Sequence, residues 1–471
     1  MNKNVIENKT DLNRLFAPRS IAIIGASSDF GRIGGLPIRF LLDNHYQGAI
    51  YPVNPKYDEI AGMTCYPSLA EIPHEVDLAL VSVPRKFVKD AFDQCARKEV
   101  PFAILFSAGY AEMGDEGKKE QEALFKLAQK ANLRILGPNC IGFINTHGKV
   151  AATFISALFN GLPAPGAIGL VTQSGGMGNA LLTRAADRAM GLSYFISSGN
   201  ELNLKTADFV EHFIDDPNTR VIALFLEGLR DIQHFSAAAE RAMACGKPIV
   251  AVKVGRSEAG QKATASHTGA LAGSDRIYDG YFRQKGICRV NDVDDLLETA
   301  HLFATYAPPA GNRAAILSVS GGSGALLSDL MSDQGLVLPA PSESTCRRLT
   351  DITPQVTSIT NPMDITTQFM NDTEAIARYL ETFAQDKSYD LLIFSLTFSD
   401  KDRTLPVAQT IANLKDKLKK PIVVCWPVGE TARPAFDCLE KAGVPLFFQQ
   451  TNCAAAVGHF VRYGKYRNKF S

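Results

Sequence analysis

Short apolar runs of β-forming residues alternate with longer segments of helical periodicity along this chain, and that alternation restricts the fold to parallel α/β sheets. The runs IAIIG (21–25), AIYPVN (49–54), DLALVSVP (77–84), PFAILFSAG (101–109) and LRILGPN (133–139) lack a regularly alternating polar face. Strands apolar on both sides must be covered on both sides, which crossover helices between parallel strands achieve. The rhythm restarts with GAIGLVTQSGG (166–176), LSYFISSGN (192–200), RVIALFLEG (220–228) and KPIVAVKVG (247–255). It restarts again after the Pro/Gly-rich stretch 305–315, with AILSVSGG, LLIFSLTF and KKPIVVCWPVG. The 471 residues therefore read as three consecutive α/β parallel-sheet domains, 1–150, 151–310 and 311–471.

Lys plus Arg and Asp plus Glu both number 49, so no global field recruits nucleic acid or an anionic membrane. The nine cysteines form no Cys-x-x-Cys pair, which argues against a zinc ribbon or disulfide framework and suits core thiols in a reducing compartment. The first twenty residues are polar, unlike a secretory signal, and the apolar runs are too short to span a bilayer. These features predict a soluble cytoplasmic protein without a nucleic-acid or membrane partner.

Two segments repeat one pattern: GLVTQSGGMGNALL (169–182) and AILSVSGGSGALLS (315–328) each read as strand, Ser-Gly-Gly-x-Gly, helix. Unsatisfied N–H groups at a helix start attract anions, and glycines let a phosphate approach them. Ser174, Gly175 and Gly176, with Ser320, Gly321, Gly322 and Ser323, are thus candidate phosphate sockets; the alternative is a tight strand-to-helix turn. The first loop, GASSDFGRIGG (25–35), lacks the Gly-x-Gly-x-x-Gly spacing of a dinucleotide fold, which weakens a nicotinamide assignment. Lys56 follows the second strand as a candidate phosphate contact or a solvated charge. In KATASHTGALAGSD (262–275), His267 sits among small residues, with Thr264, Ser266, Thr268 and Ser274 offering hydroxyls to an anion; a polar surface loop is the alternative. Cys140 in GPNCIG has no base near it in sequence and reads as a packed thiol.

Taken in order, RSIAIIGAS, RIGG, YPVNPK, ILFSAGYAE, GPNCIGFIN, TQSGGMG, SSGN, FLEGLRD and SHTGALAGSD resemble the α subunits of NDP-forming acyl-CoA synthetases. Within the succinyl-CoA synthetase superfamily the similarity is greatest to the ADP-forming acetyl-CoA synthetase branch. The resemblance implies a Rossmann-like CoA-binding domain followed by two flavodoxin-like ligase domains. It makes His267 a phosphohistidine and Glu227 the carboxylate that orients its ring, with the two Ser-Gly-Gly turns holding the phosphoryl group. CoA would lie against Gly25, Ala26, Ser27, Ser28 and Lys56, with Phe106, Ser107 and Ala108 opposite; core packing is the alternative for Phe106. No metal site is implied on this chain. ATP and Mg²⁺ would bind a separate ATP-grasp β subunit in a hetero-oligomer that joins a small carboxylic acid to CoA through an acyl phosphate. One departure is Asn203 in GNELNL, where the resemblance implies an aspartate. A catalytically silent CoA-binding or scaffolding protein of the same fold is the competing reading.

Overall fold

The computed structural model describes residues 11–268, 274–352, 359–365 and 372–468, and of residues 265–268 the backbone. Three sheets of five or more strands form in succession. The first contains β1 (Ser20–Ile24), β2 (Ala49–Val53), β3 (Leu78–Val81), β4 (Phe102–Leu105) and β5 (Arg134–Leu136), all parallel, in the order β2-β1-β3-β4-β5. Ile21, Ile23, Leu78 and Leu80 enter one hydrophobic core while Ala22, Ile24, Ala79 and Val81 enter another. The sheet is therefore covered on both faces, as its uninterrupted apolar strands require.

The second sheet contains β6 (Gly142–Asn145), β7 (Val150–Thr153), β8 (Pro165–Thr172), β9 (Leu192–Ser197), β10 (Val221–Leu226), β11 (Ile249–Lys253) and β12 (Cys288–Val290). Its order is β12-β11-β10-β8-β9-β6-β7, with β6 and β7 antiparallel at the edge and the other five strands parallel. The expected division at 150 cuts through this edge pair: the chain enters the second sheet at Gly142, directly after β5. With no helix between β5 and β6, the alternation carries no mark of the change of sheet.

The third sheet contains β13 (Ala314–Ser318), β14 (Met363–Asp364), β15 (Leu391–Ser395), β16 (Ile422–Cys425) and β17 (Leu446–Phe447), parallel in the order β14-β13-β15-β16-β17. The parallel strands of all three sheets thus follow one winding, in which the second strand in chain order lies outside the first and the rest follow on its other side. Five helices matter below: α1 (Gly175–Asp187), α2 (Glu258–Thr268), α3 (Asp275–Gln284), α4 (Val293–Thr305) and α5 (Gly321–Asp333). The chain divides into two compact units: residues up to Ala186 with Gly191–Val290, and Asp187–Met190 with the residues from Asn291 onward. The first two sheets share the first unit, and α4, before the expected division at 310, belongs to the second. Among the described residues no helix is long and apolar enough to cross a membrane.

Asn203 finishes the outer edge of β5, which is buried. Its Oδ1 accepts the Ile135 N–H (2.7 Å) and its Nδ2 donates to the Leu133 carbonyl (2.9 Å), so the amide substitutes for a neighbouring strand beside β5. Asn361 repeats the device on β13, accepting from Ile316 N–H (2.9 Å) and donating to the Ala314 carbonyl (2.8 Å). An aspartate has no donor for either carbonyl. Asn203 therefore joins the second sheet's loop to the first sheet.

Asp77, 1% exposed at the start of β3, pins the chain's entry into the first sheet. It accepts Arg14 Nε (2.8 Å), the Arg19 backbone N–H (2.8 Å) and Arg19 Nε (3.2 Å). Burial works against its charge, but the bonds from Arg19 and Arg14 outweigh burial and hold its pKa below the usual value. With a depressed folded-state pKa, this stabilisation is complete above the unfolded carboxylate range and is lost as pH falls through the folded value. Asp77→Asn is expected to cost about 1–3 kcal/mol at neutral pH. It should also flatten the acid limb of a stability–pH curve below about pH 4, as measured by urea unfolding.

Candidate active site

A cleft of about 670 Å³ opens where the carboxyl ends of the first sheet's strands face the start of α1. Ligands in open parallel sheets bind where the strand order reverses, here between β1 and β3. Gly25, after β1, has φ +84°, and a Cβ there would lie 2.8 Å from the Ser82 carbonyl oxygen and 2.9 Å from Val83 Cγ1. Only glycine fits so close to the loop after β3. The turn then folds on itself, with Ser27 N–H donating to the Gly34 carbonyl (3.3 Å) and a Gly34 Cβ excluded by the Gly25 carbonyl at 2.2 Å. Ala26 is buried, Ser27 half-buried and Ser28 exposed. Asn54 Nδ2 donates to the Ala26 carbonyl (2.7 Å) and its Oδ1 accepts the Lys56 N–H (3.0 Å), which ties the Lys56 turn to the β1 loop while the Lys56 side chain stays in solvent.

Phe106, Ser107 and Ala108 line the cleft together with Ser174, Gly175 and Gly176. The structure thus brings three of the eight predicted CoA contacts and the Ser174-Gly175-Gly176 turn to one cavity, while Gly25, Ala26, Ser27, Ser28 and Lys56 are not among its lining residues. Phe106 is 7% exposed and meets Phe154 edge-on, ring centres 5.0 Å apart, so it serves packing and wall together. The Ser107 hydroxyl is committed to the Val83 carbonyl (2.6 Å) and fixes the β3 and β4 loops to each other.

The Ser174 turn is closed by its own side chains. Thr172 Oγ1 accepts from Ser174 N–H (3.2 Å) and donates to its carbonyl (2.8 Å), and Ser174 Oγ receives the Met177 N–H (3.4 Å). No acidic residue occupies the first turn of α1, and a Cβ on Gly176 would meet nothing within 4 Å. In the second unit Ser318 and Ser320 repeat these bonds, with Ser320 N–H to Ser318 Oγ (3.1 Å), Ser318 Oγ to the Ser320 carbonyl (2.8 Å) and Ser323 N–H to Ser320 Oγ (3.5 Å). The internal repeat therefore extends to individual hydrogen bonds. The two turns differ in charge: a Cβ on Gly321 would lie 3.3 Å from Asp364 Oδ2, a carboxylate beside the turn that an anion would meet. The Ser323 hydroxyl is turned inward, paired with Ser395 Oγ (2.7 Å) and Gln450 Nε2 (2.7 Å), so what this residue presents at the turn is its backbone.

Glu227 follows β10, and α2 follows the adjacent β11, so both leave the same edge of the second sheet as the Ser174 turn. The backbone of α2, with His267 in its last turn, packs beside Ala111–Met113, the segment that follows the Phe106 loop. The side chains of Ser266, His267 and Thr268 and residues 269–273 lie outside the described residues. Thr264 is buried, its hydroxyl donating to the Gly260 carbonyl (2.9 Å), and is therefore not presented to an anion. Lys253, 3% exposed at the end of β11, holds its ammonium 4.6 Å from the Tyr278 ring. Burial, then Arg289, pushes its pKa down, against the pull of Asp275 and Glu227. Cys140 is buried, and burial pushes its thiol up to about 12, which leaves it without thiolate character. Among the described residues no cluster of His, Cys, Asp or Glu could hold a metal ion.

Sequence reading missed Ser82, Arg85, Asn139, Phe154 and Gln173 in the cleft wall. Ser82, Arg85 and Asn139 follow the carboxyl ends of β3 and β5, so the switch-point rule could have found them. Phe154 comes from the antiparallel edge pair, for which the sequence carried no signal.

The CoA binding domain family matches residues 19–146, and the succinyl-CoA ligase like flavodoxin domain matches residues 165–303. The chain is 36% identical over 459 residues to subunit alpha of ADP-forming acetate–CoA ligase II of Pyrococcus furiosus, covering 96% of this chain and 98% of that one. It is likewise 36% identical over 456 residues to ADP-forming acetate–CoA ligase I of Archaeoglobus fulgidus, of whose length it spans 64%. Among solved structures, a chain of the Ca. Korarchaeum cryptofilum dinucleotide-forming acetyl-coenzyme A synthetase 1, in complex with phosphate and ADP, is similar with a TM-score of 0.91 at 31% identity. That match covers 97% of this chain and 98% of the other.

Proposed function

Since the chain belongs to the ADP-forming acyl-CoA synthetases, as a counterpart of their α subunits, we propose that it joins a small carboxylic acid to CoA, with an ATP-grasp β subunit supplying the phosphoryl group. The observation that carries this reading is the single cleft lined by both the CoA-type strand ends and the Ser174-Gly175-Gly176 helix start. A thiol and an acyl phosphate must meet, and this cavity lets both approach one point.

In this reading a neutral His267 imidazole takes the phosphoryl group on one ring nitrogen, and Glu227 accepts the N–H of the other, fixing the tautomer and stabilising imidazolium character. The phosphoryl group passes to the acid carboxylate. The N–H groups of the α1 turn stabilise the charge on the transferring oxygens, which donors already fixed at a helix start do without reorganisation. The CoA thiol then attacks the acyl carbon and phosphate leaves. CoA lies along Gly25–Ser28, Lys56 and Phe106–Ala108. ATP and Mg²⁺ bind the partner. A cytoplasmic location belongs to the same proposal and is supported by nine free cysteines.

Reconstitution with an ATP-grasp β subunit, ATP, Mg²⁺, CoA and a panel of small acids tests the reading, with acyl-CoA detected by mass. A thioester from at least one acid is expected. Calorimetry should show CoA binding without NAD binding; the reverse would overturn the assignment. Gly25→Val should weaken CoA binding about 100-fold or more, because its side chain meets the Ser82 carbonyl at positive φ.

A further inference from the structure

We infer that Gln173 and Glu201 are positioning residues for Glu227, forming a buried chain of hydrogen bonds that holds the turn bearing this carboxylate. The inference rests on the reading of Glu227 given above. Gln173 is 8% exposed and Glu201 3%. Gln173 Oε1 accepts two successive backbone donors, the N–H groups of Glu227 (2.6 Å) and Gly228 (3.0 Å). Its Nε2 donates to the Gly228 carbonyl (2.7 Å) and to Glu201 Oε1 (2.9 Å). That same Glu201 oxygen accepts the hydroxyls of Ser198 (3.0 Å) and Thr206 (2.6 Å). From the other side the Tyr278 hydroxyl accepts the Leu229 N–H (3.2 Å).

Three consecutive N–H groups, 227 to 229, are therefore held by side chains. An unsupported turn at a strand end would give these groups to water and could rotate its peptides. Here the primary amide of Gln173 supplies both acceptor and donor, and Glu201 dictates which end of the amide faces the turn. A fully satisfied buried network of this kind has one arrangement. Glu201 remains a good acceptor in either protonation state, although burial, opposed by bonds from Thr206 and Gln173, raises its pKa. The consequence is positional: Glu227 is presented at one place without the reorganisation that transfer to His267 would otherwise require.

The test is single-turnover phosphorylation of the chain in complex with its ATP-grasp partner, using γ-labelled ATP, for Glu201→Leu, Glu201→Gln and Glu227→Gln. Glu201→Leu should lower the rate constant about 10–100-fold, the penalty of a displaced catalytic group. Its CoA dissociation constant and labelled amplitude should stay unchanged. Glu201→Gln keeps an oxygen for all three donors and should restore the rate. Loss of folded protein alone would reduce amplitude and leave the rate constant, which separates positioning from general destabilisation. A full rate constant in Glu201→Leu alongside a slowed Glu227→Gln overturns the inference and spares the Glu227 reading. Full rates in both remove that reading and the inference with it. If Glu201→Leu does not fold, Gln173→Met, close in volume but lacking the amide, carries the same expectation for the rate constant and the same contrary outcome.

Discussion

His267→Ala is expected to reduce acyl-CoA synthesis by about four orders of magnitude or more, the scale seen when a covalent nucleophile is removed. The loss should be that large because nothing nearby replaces the nitrogen. The neighbours Ser266 and Thr268 carry hydroxyls that are far weaker nucleophiles near neutral pH, and the residues flanking them are Ala265 and Gly269. CoA affinity should survive, since the proposed CoA contacts lie on the β1, β2 and β4 loops of the first sheet. Glu227→Gln should be milder, about 10²-fold, because the amide still accepts the ring N–H but no longer carries the charge that stabilises the imidazolium. Thioester formation by chromatography, paired with calorimetric CoA binding, reads both effects. Loss of CoA binding in His267→Ala would show that the histidine has a different place in the molecule.

Arg188→Leu should destabilise the second unit by about 3–5 kcal/mol, the cost of leaving buried charges without their partner. Arg188 lies in Asp187–Met190 and belongs to that unit. Its Nη1 donates to Glu298 (2.6 Å), its Nε to Glu440 (3.3 Å) and its Nη2 to the Leu446 carbonyl, and the guanidinium sits 4.7 Å from the Phe448 ring. Glu298 and Glu440 are 5% and 4% exposed, and beyond Arg188 Glu298 accepts from Asn452 (3.1 Å) and Glu440 from Arg433. Burial raises both carboxyl pKa values, opposed by Arg188 at Glu298 and by Arg433 and Arg188 at Glu440. Removing Arg188 raises them further. For a raised carboxyl the folded state is favoured below the unfolded pKa and loses that advantage as pH rises through the folded value. The variant's deficit should therefore be larger at pH 8 than at pH 5. Guanidinium unfolding at the two pH values measures it, and an equal deficit at both would mean the carboxyls are not what Arg188 compensates.

The sheets were legible in the sequence because a strand covered on both faces needs a continuous apolar run, and each run became a strand. The edge pair β6–β7 was not placed in the second sheet, because its sequence GFIN follows β5 without a helix to mark the change. The Ser-Gly-Gly repeat gave the two strand-to-helix turns, since such turns use glycine for local reasons that a short segment contains. Side-chain direction was not legible: Ser323 points to Ser395, which is 72 residues away in sequence. Asn203 looked like a chemical departure because the resemblance implies an aspartate there; its partners, Ile135 and Leu133, come from the preceding sheet. Gln173 stood in the quoted TQSGG motif without a role, because its bonds to Glu227 and Gly228 span 54 and 55 residues.

Phosphate is expected to pass through one histidine of this chain. The complex with the ATP-grasp partner should be incubated with γ-labelled ATP and Mg²⁺, then split between acid and alkali before peptide mapping. A phosphoramidate on His267 predicts label that survives alkali, disappears in acid, maps to the peptide containing residues 262–275 and is discharged by acid substrate with CoA. Acid-stable label on a hydroxyl, or full labelling of His267→Ala, would contradict the account.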